Sequence, residues 1–208
     1  MKNLLTLTLA FLVFFSCSNQ EVEPIKQTKP IPANFQTAYF AAGCFWCVEA
    51  VFESVKGVNE AISGYSGGVI KNPTYEQICT GRLRHAESVK VIYDPSVVSY
   101  ATLVDVFFNS HNPATLNQQG PDKGPQYRSI AFYQTNAEKV ILEKKINQLK
   151  VQNVFPRITT EVKAFDVFYE AEAYHQNYER NHPNNGYVQA VSLPRLNAFK
   201  EKMPEVLK

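Results

Sequence analysis

Residues 36–57, QTAYFAAGCFWCVEAVFESVKG, predict a strand followed by a helix. The stretch begins with a run of aromatic and small residues, 36–42, that ends at Gly43 and is typical of a buried strand feeding a turn. Apolar residues then recur at three- and four-residue spacings: Phe45, Val48, Val51, Phe52 and Val55. That period predicts a helix that begins at Cys44 and stops at Gly57.

The remaining sequence continues to alternate strands with helices. The further strands are predicted at residues 58–66, 85–93, 129–134 and 158–164, and the further helices at 72–78, 99–109, 136–151 and 170–181. Residues 112–127 are rich in Gly, Pro, Asn and Gln and have no period, so we expect a long functional loop there. Strands separated by helices predict an α/β or α+β sandwich with one sheet.

Composition limits the classes of function. The chain has 208 residues, of which 45% are hydrophobic and 19% charged, which is enough apolar material for one folded domain. The 21 Lys and Arg residues almost balance the 19 Asp and Glu residues, so the net charge is only +2. A weak and scattered charge does not favour a phosphate backbone as partner. We therefore expect that the protein binds no nucleic acid. We also expect a monomer.

The N-terminus has the pattern of a secretory signal peptide over residues 1–16. Lys2 supplies its positive charge, and residues 4–15 are apolar. As a helix, that apolar run would extend about 18 Å, whereas the hydrocarbon layer of a bilayer is about 30 Å thick. Cleavage is therefore favoured over a permanent membrane-spanning helix.

A lipid anchor is predicted at Cys17, because the residues before it resemble the recognition sequence of bacterial lipoproteins. Residues 17–33 carry three prolines and no apolar period, which is typical of a tether, so the folded domain is assigned to residues 34–208. We expect an exported lipoprotein anchored in a membrane and facing the periplasm. A simple secreted protein is the alternative.

Cys44 and Cys47 form a Cys-x-x-Cys pair at the start of the predicted helix. The free N–H groups and the positive end of the helix dipole there favour a thiolate, which makes Cys44 a candidate nucleophile. A static disulfide would close a very short loop and add little stability, whereas a pair so placed can alternate between dithiol and disulfide. No second cysteine or histidine pair has zinc-site spacing, so no metal is expected. Cys79 lies beside an apolar residue and is predicted to be a buried, inert thiol.

Several separate blocks resemble the A-type peptide methionine sulfoxide reductases. The first is Gly43-Cys44-Phe45-Trp46-Cys47-Val48-Glu49-Ala50. The others follow in the order of that family: Gly64-Tyr65-Ser66-Gly67-Gly68, Asn72-Pro73-Thr74-Tyr75, His85-Ala86-Glu87, Tyr93-Asp94-Pro95, Gln126-Tyr127-Arg128-Ser129 and Tyr174-His175-Gln176. The resemblance covers roughly residues 40–187, whereas Cys-x-x-Cys alone would be a weak signal.

The resemblance implies a two-layer sandwich with a ferredoxin-like core and one mixed sheet. It also implies reduction of methionine S-sulfoxide, free or in proteins, with no bound cofactor and with an external thioredoxin-like dithiol reductant. The residues that it implicates are Cys44 as nucleophile, Glu87 as acid, Tyr75 and Tyr127 as hydroxyl donors, Phe45 and Trp46 as apolar walls for the substrate methyl group, Asp122 as a positioning carboxylate and Tyr178 as a third tyrosine.

The family likeness also bears on how the enzyme is recycled. Many members carry recycling cysteines in the C-terminal tail, but this chain has none after Cys79 and has Val188 where such a cysteine often lies. In the Cys-Phe-Trp-Cys subgroup the second cysteine recycles, and Cys47 matches that pattern.

The chemistry requires Glu87 to be protonated, because a sulfoxide is a poor electrophile until its oxygen is protonated or strongly hydrogen-bonded. We therefore expect Glu87 in an apolar, water-poor place. Two other functions remain open from the residues alone. One is a thioredoxin-like disulfide oxidoreductase, and the other is a lipoprotein that binds an apolar ligand without catalysis.

Overall fold

The computed structural model describes residue 31 and residues 33–208. The predicted signal peptide, Cys17 and most of the tether lie outside the described residues. Within the described part of the chain, no helix is both long and apolar enough to cross a membrane.

The described residues form eight strands and six α-helices. The strands are β1 (Gln36–Ala42), β2 (Val58–Ser66), β3 (Ala86–Tyr93), β4 (Gln118–Gln119), β5 (Asp122–Lys123), β6 (Ser129–Tyr133), β7 (Glu161–Ala164) and β8 (Phe168–Glu170). The helices are α1 (Phe45–Glu53), α2 (Tyr75–Cys79), α3 (Tyr100–Asn109), α4 (Asn136–Val151), α5 (Tyr178–Asn181) and α6 (Leu193–Lys202).

One mixed sheet of six strands organises the domain, in the order β7-β6-β1-β3-β2-β8. Every neighbouring pair is antiparallel except β6 and β7, which are parallel. Its centre, β1-α1-β2-β3-α3-β6 with the strand order β6-β1-β3-β2, is a ferredoxin-like core, and β7 and β8 extend it on either side. The predicted α/β sandwich with one mixed sheet is confirmed.

The main hydrophobic core lies between this sheet and the helices on one of its faces. Phe40 of β1 stacks on Phe52 of α1 and on Phe107 of α3, with 5.1 Å between ring centroids in both pairs. Each fully buried aromatic ring of this kind stabilises the fold by about 2 kcal/mol. A smaller cluster covers the opposite face, where Tyr39 and Phe165 stack at 3.8 Å.

The turn between β1 and α1 depends on Gly43. Its φ is +87°, and a Cβ atom there would lie 2.5 Å from Cβ of Gln119. Only glycine fits such a turn without strain or displacement of its cover. The turn ends at Cys44, which is the N-cap residue of α1 and makes no side-chain cap hydrogen bond.

The helix predicted for residues 170–181 is wrong. The chain instead forms β8, a 3₁₀ turn over Ala173–His175 and the short α5. Side-chain hydrogen bonds hold it out of a continuous helix: Glu172 accepts from the Tyr75 backbone N–H, and buried Glu49 accepts from the backbone N–H of Asn177. Asn177 is in the left-handed region with φ +55°, which interrupts a right-handed helix.

Two smaller predictions also need correction. The loop of residues 112–127 contains the β4–β5 hairpin and a 3₁₀ turn over Pro125–Tyr127. Cys79 is exposed and not buried as expected, because it ends α2, whose apolar residue Ile78 fills the core.

Candidate active site

The candidate site lies at the edge of the sheet where β1 and β2 end and β3 begins. Glu87, the second residue of β3, pairs with Tyr65 of β2. Its carboxyl oxygen Oε2 accepts a hydrogen bond of 3.0 Å from the backbone N–H of Phe45. This bond satisfies one of the free N–H groups at the start of α1, for which Cys44 offers no side-chain cap. The acid and the predicted nucleophile are therefore fixed at the same helix end.

Glu87 is in the apolar setting that the proposed chemistry requires. Its side chain is 1% exposed, and burial raises its pKa to about 8, although the hydrogen bond from Phe45 acts in the opposite direction. The group is therefore largely protonated at neutral pH. Because Oε2 accepts from Phe45, the other carboxyl oxygen can carry the proton and donate it.

The two predicted hydroxyl donors converge on Glu87 from different parts of the chain. Tyr75 begins α2, and Tyr127 ends the 3₁₀ turn that precedes β6. Burial is the main cause that raises the pKa of both phenols, and the charge of Glu87 adds to it. Both hydroxyls thus stay protonated, and Tyr127 also lies within electrostatic reach of Cys44.

The two cysteines influence each other's pKa, and burial opposes the effect of the helix dipole at Cys44. Burial, followed by the hydrogen bond to Cys47, raises the pKa of Cys44. The hydrogen bond from Cys44 lowers the pKa of Cys47 to about 6, with help from the charge of Arg195. These directions favour the proton on Cys44 and the charge on Cys47, whereas the helix dipole argument favours a thiolate at Cys44. Transfer of that proton between the two sulfurs produces the Cys44 thiolate.

Aromatic rings form a wall next to the cysteines. Phe45 is buried, and Trp46 stacks flat on Tyr178 at 3.6 Å. The indole N–H of Trp46 donates to Nδ1 of His175 over 3.1 Å. Tyr178 thus supports the outer face of the indole, while its hydroxyl lies 3.4 Å from the side-chain amide of Asn185. The predicted contact of Tyr178 with substrate stays a prediction.

His175 belongs to this wall, although the sequence reading gave it no role. Its ring is buried, and burial lowers its pKa to about 4, so it is neutral at pH 7. Since Nδ1 accepts from Trp46, Nε2 carries the hydrogen, and that atom has no hydrogen-bond partner among the described residues. His175 lies in the Tyr174-His175-Gln176 block of the family resemblance, and that position was the signal that could have identified it.

Asp122 is linked to the cysteines by a residue that sequence reasoning missed. The Tyr187 hydroxyl donates to Oδ2 of Asp122 over 2.5 Å and lies 4.0 Å from the sulfur of Cys47. Arg195, also missed, donates to the carbonyl oxygen of Ala42 over 2.9 Å. Tyr187 stands at the end of the family resemblance, whereas no pattern in the sequence marks Arg195.

One cavity lies apart from the reacting groups. It has a volume of about 320 Å³ and runs along α1 between Trp46, α6 and the segment after Asn177. Neither Cys44 nor Glu87 lines it. In the part of the chain that the structure describes, no three His, Cys, Asp or Glu side chains are grouped so that they could hold a metal ion.

Comparisons with known proteins give the site its context. The family model described as "Peptide methionine sulfoxide reductase" matches residues 36–207. Peptide methionine sulfoxide reductase MsrA of Pasteurella multocida is 47% identical over 83% of this chain and 99% of its own length. Reduced Mxr1 of Saccharomyces cerevisiae matches with a TM-score of 0.71 and 33% identity, over 77% of this chain and 92% of its own. The same yeast protein in complex with Trx2 matches with a TM-score of 0.52 and 24% identity, over 74% of this chain and 91% of its own.

Proposed function

This chain belongs to the peptide methionine sulfoxide reductase family, and from that premise we propose which residues reduce methionine sulfoxide and how the enzyme is recycled. The enzyme is an oxidoreductase that converts methionine sulfoxide to methionine. One observation carries the assignment of residues: the buried, protonated Glu87 and the Cys44 thiol meet at the first turn of α1.

In the first step, the Cys44 sulfur attacks the sulfur of the sulfoxide. Glu87 gives its proton to the sulfoxide oxygen, and the hydroxyls of Tyr75 and Tyr127 stabilise the charge that develops there. The oxygen passes to Cys44, so methionine is released and Cys44 becomes a sulfenic acid. The methionine sulfur gains two electrons and the Cys44 sulfur loses two. The aromatic wall of Phe45 and Trp46 receives the substrate methyl group, and Asp122 orients the rest of the substrate.

In the second step, Cys47 attacks the sulfur of the Cys44 sulfenic acid, releases water and forms a disulfide. Both cysteines are free thiols at the first turn of α1, which supports their pairing in this step. A dithiol protein of thioredoxin type then reduces this disulfide. The complex of the yeast relative with Trx2 supports a partner of that class.

Three cysteine variants test the proposal with a methionine sulfoxide peptide resolved into its two sulfur epimers. Cys44→Ser should abolish reduction, and only the S epimer should be consumed by the parent enzyme. Cys47→Ser should release about one methionine per enzyme and then stall with a thioredoxin-type donor. Cys79→Ser is the matched control and should turn over normally. Full activity of Cys44→Ser would reject Cys44 as the nucleophile. Repeated turnover of Cys47→Ser would reject Cys47 as the recycling cysteine and implicate Cys79 instead.

The location of the enzyme is a further part of the proposal. The apolar run of residues 4–15, followed by Cys17 and the proline-bearing tether of residues 17–33, supports export and a lipid anchor facing the periplasm. The family match from residue 36 supports a catalytic domain assigned to residues 34–208. Mass spectrometry of the mature N-terminus should show a diacylglyceryl group on Cys17. An unmodified residue 17 in membrane fractions would reject the anchor.

A further inference from the structure

The C-terminal segment of residues 187–195 surrounds the sulfur of Cys47, although it contains no cysteine of its own. The Tyr187 hydroxyl lies 4.0 Å from that sulfur, and Ser192 helps to lower the pKa of Cys47. The Ser192 hydroxyl donates its single hydrogen to the carboxylate of Glu179, so it is a weak donor toward Cys47. The remaining contribution comes from Arg195, whose positive charge acts on the same sulfur.

Arg195 is suited to stabilise an anion because carbonyl oxygens, and not a directly paired carboxylate, hold its guanidinium, although its charge also acts on Asp122. Its guanidinium donates to two carbonyl oxygens, of Ser110 over 2.7 Å and of Ala42 over 2.9 Å. Among the ion pairs of the described residues, none includes Arg195. Carbonyls hold the group in place without cancelling its charge, so the half-buried cation favours a negative charge on a neighbouring thiol.

Tyr187 gives the proton of Cys47 a route away from the sulfur. Its hydroxyl hydrogen is already donated to Asp122, so its oxygen faces Cys47 as an acceptor. A proton that leaves Cys47 can therefore move to the phenol oxygen while the phenol hydrogen moves to the Asp122 carboxylate, and the phenol then donates a hydrogen bond to the Cys47 thiolate. Asp122 is partly exposed and can exchange that proton with solvent.

We propose that Arg195, together with the Tyr187–Asp122 pair, keeps Cys47 as the anion that both recycling steps require. The proposal rests on the proposed function, because it takes Cys47 as the recycling cysteine. Arg195 touches neither substrate nor the reacting bond and is a positioning residue that acts through Cys47.

Both steps balance with Cys47 as the anion. When Cys47 attacks the Cys44 sulfenic acid, an S–S bond forms, the S–O bond breaks, and the departing hydroxide takes one proton to become water. The thiolate of the external dithiol then attacks the Cys44 sulfur, and Cys47 leaves with the electron pair of the S–S bond. The second thiol of the dithiol releases Cys44, so the reductant ends as a disulfide. A leaving thiol with a lowered pKa departs faster, which makes the same environment useful twice.

The groups that can influence the charge of Cys47 come from several elements. They are Cys44 at the start of α1, Glu87 on β3, Asp122 on β5 behind Tyr187, Ser192 and Arg195. Glu87 is neutral until about pH 8, and Tyr187 separates Asp122 from the sulfur, so Arg195 is the cation among these groups.

The test measures the charge of Cys47 without any sulfoxide turnover. Full-length protein carrying Cys44→Ser is alkylated with iodoacetamide between pH 4.5 and 9, and mass spectrometry follows the tryptic peptide of residues 27–56, in which Cys47 is then the sole cysteine. Arg195→Gln should move the pH midpoint of alkylation upward by about one unit, so that alkylation below the midpoint is about tenfold slower. Arg195→Lys, which keeps the charge, should leave the midpoint close to that of the protein with Arg195.

Arg157→Gln is the matched control, since Arg157 also donates to a carbonyl but is exposed and lies outside the site. It should leave the midpoint unchanged. A folded Arg195→Gln protein with an unchanged midpoint would overturn the proposal. If circular dichroism shows that this variant does not fold, Tyr187→Phe decides: a rise of about half a unit supports the proposal and no shift rejects it. Failure here leaves the reductase assignment standing, because that depends on the separate Cys44→Ser turnover assay.

Discussion

Replacing Glu87 by Gln should make the protein more stable at alkaline pH while it impairs catalysis. The buried carboxyl has a pKa of about 8 in the folded protein and its ordinary pKa of 4.5 in the unfolded chain. Between these values the folded state binds one more proton than the unfolded state, so stability is fully present below about pH 4.5 and falls as the pH rises to 8. The slope is about 1.4 kcal/mol per pH unit, which gives a loss of roughly 3 kcal/mol by pH 7 and about 4 kcal/mol by pH 8.

Glutamine has nearly the same shape and cannot lose a proton, so Glu87→Gln lacks this loss. Urea unfolding of both proteins at pH 5, 6, 7 and 8, under reducing conditions, gives the difference in unfolding free energy between variant and parent. Other titrating groups, such as Glu49 with its pKa raised to about 7 by burial, cancel in that difference. The difference should grow with pH in favour of the variant. A difference that stays constant from pH 5 to pH 8 would refute the assignment of a buried, protonated Glu87.

Three further predictions follow from the geometry of the site. Gly43→Ala should lower the unfolding free energy by about 2 kcal/mol or more and reduce activity, because the new methyl group meets the side chain that covers the turn. Gly120→Ala, also at positive φ but with nothing within 4 Å, is its control in thermal unfolding, and equal losses in both would reject the steric explanation. Tyr127→Phe should slow methionine release in a single turnover by at least about tenfold while circular dichroism stays unchanged, and an unaltered rate would remove that hydroxyl from the mechanism. A thioredoxin-type reductant with a single cysteine should be trapped on Cys44, which is 6% exposed, and not on Cys47, which is 1% exposed, and peptide mapping of the mixed disulfide distinguishes the two.

Local sequence patterns predicted the regular part of the fold. β1, β2 and α4 coincide with the predicted residues 36–42, 58–66 and 136–151, because hydrophobic periodicity and capping act within each segment. The helix predicted for residues 170–181 was wrong because side chains from distant parts of the chain, among them Glu49, determine the structure of this segment. Hydrophobic periodicity within a segment cannot predict a hydrogen bond between residues more than a hundred positions apart.

The site divides in the same way. The family blocks named Cys44 and Glu87, and the structure places them at one helix end. The charge distribution between the thiols could not be predicted from the helix dipole alone, because the neighbouring thiol and the charge of Arg195 also lower the pKa of Cys47. Arg195 is invisible in the sequence, since its role follows from the return of α6 to the end of β1.

The distance along the chain between contacting groups has a consequence for the newly made protein. Tyr187 is separated from Cys47 by 140 positions, and His175 from Trp46 by 129. At translation rates of 5–20 residues per second, roughly ten seconds pass between the emergence of the two thiols and that of the phenol beside them. Until then the nascent cysteines have neither their cover nor their charge partner. We therefore expect the yield of active enzyme to depend on a chaperone or a reducing compartment that protects the two thiols during that interval.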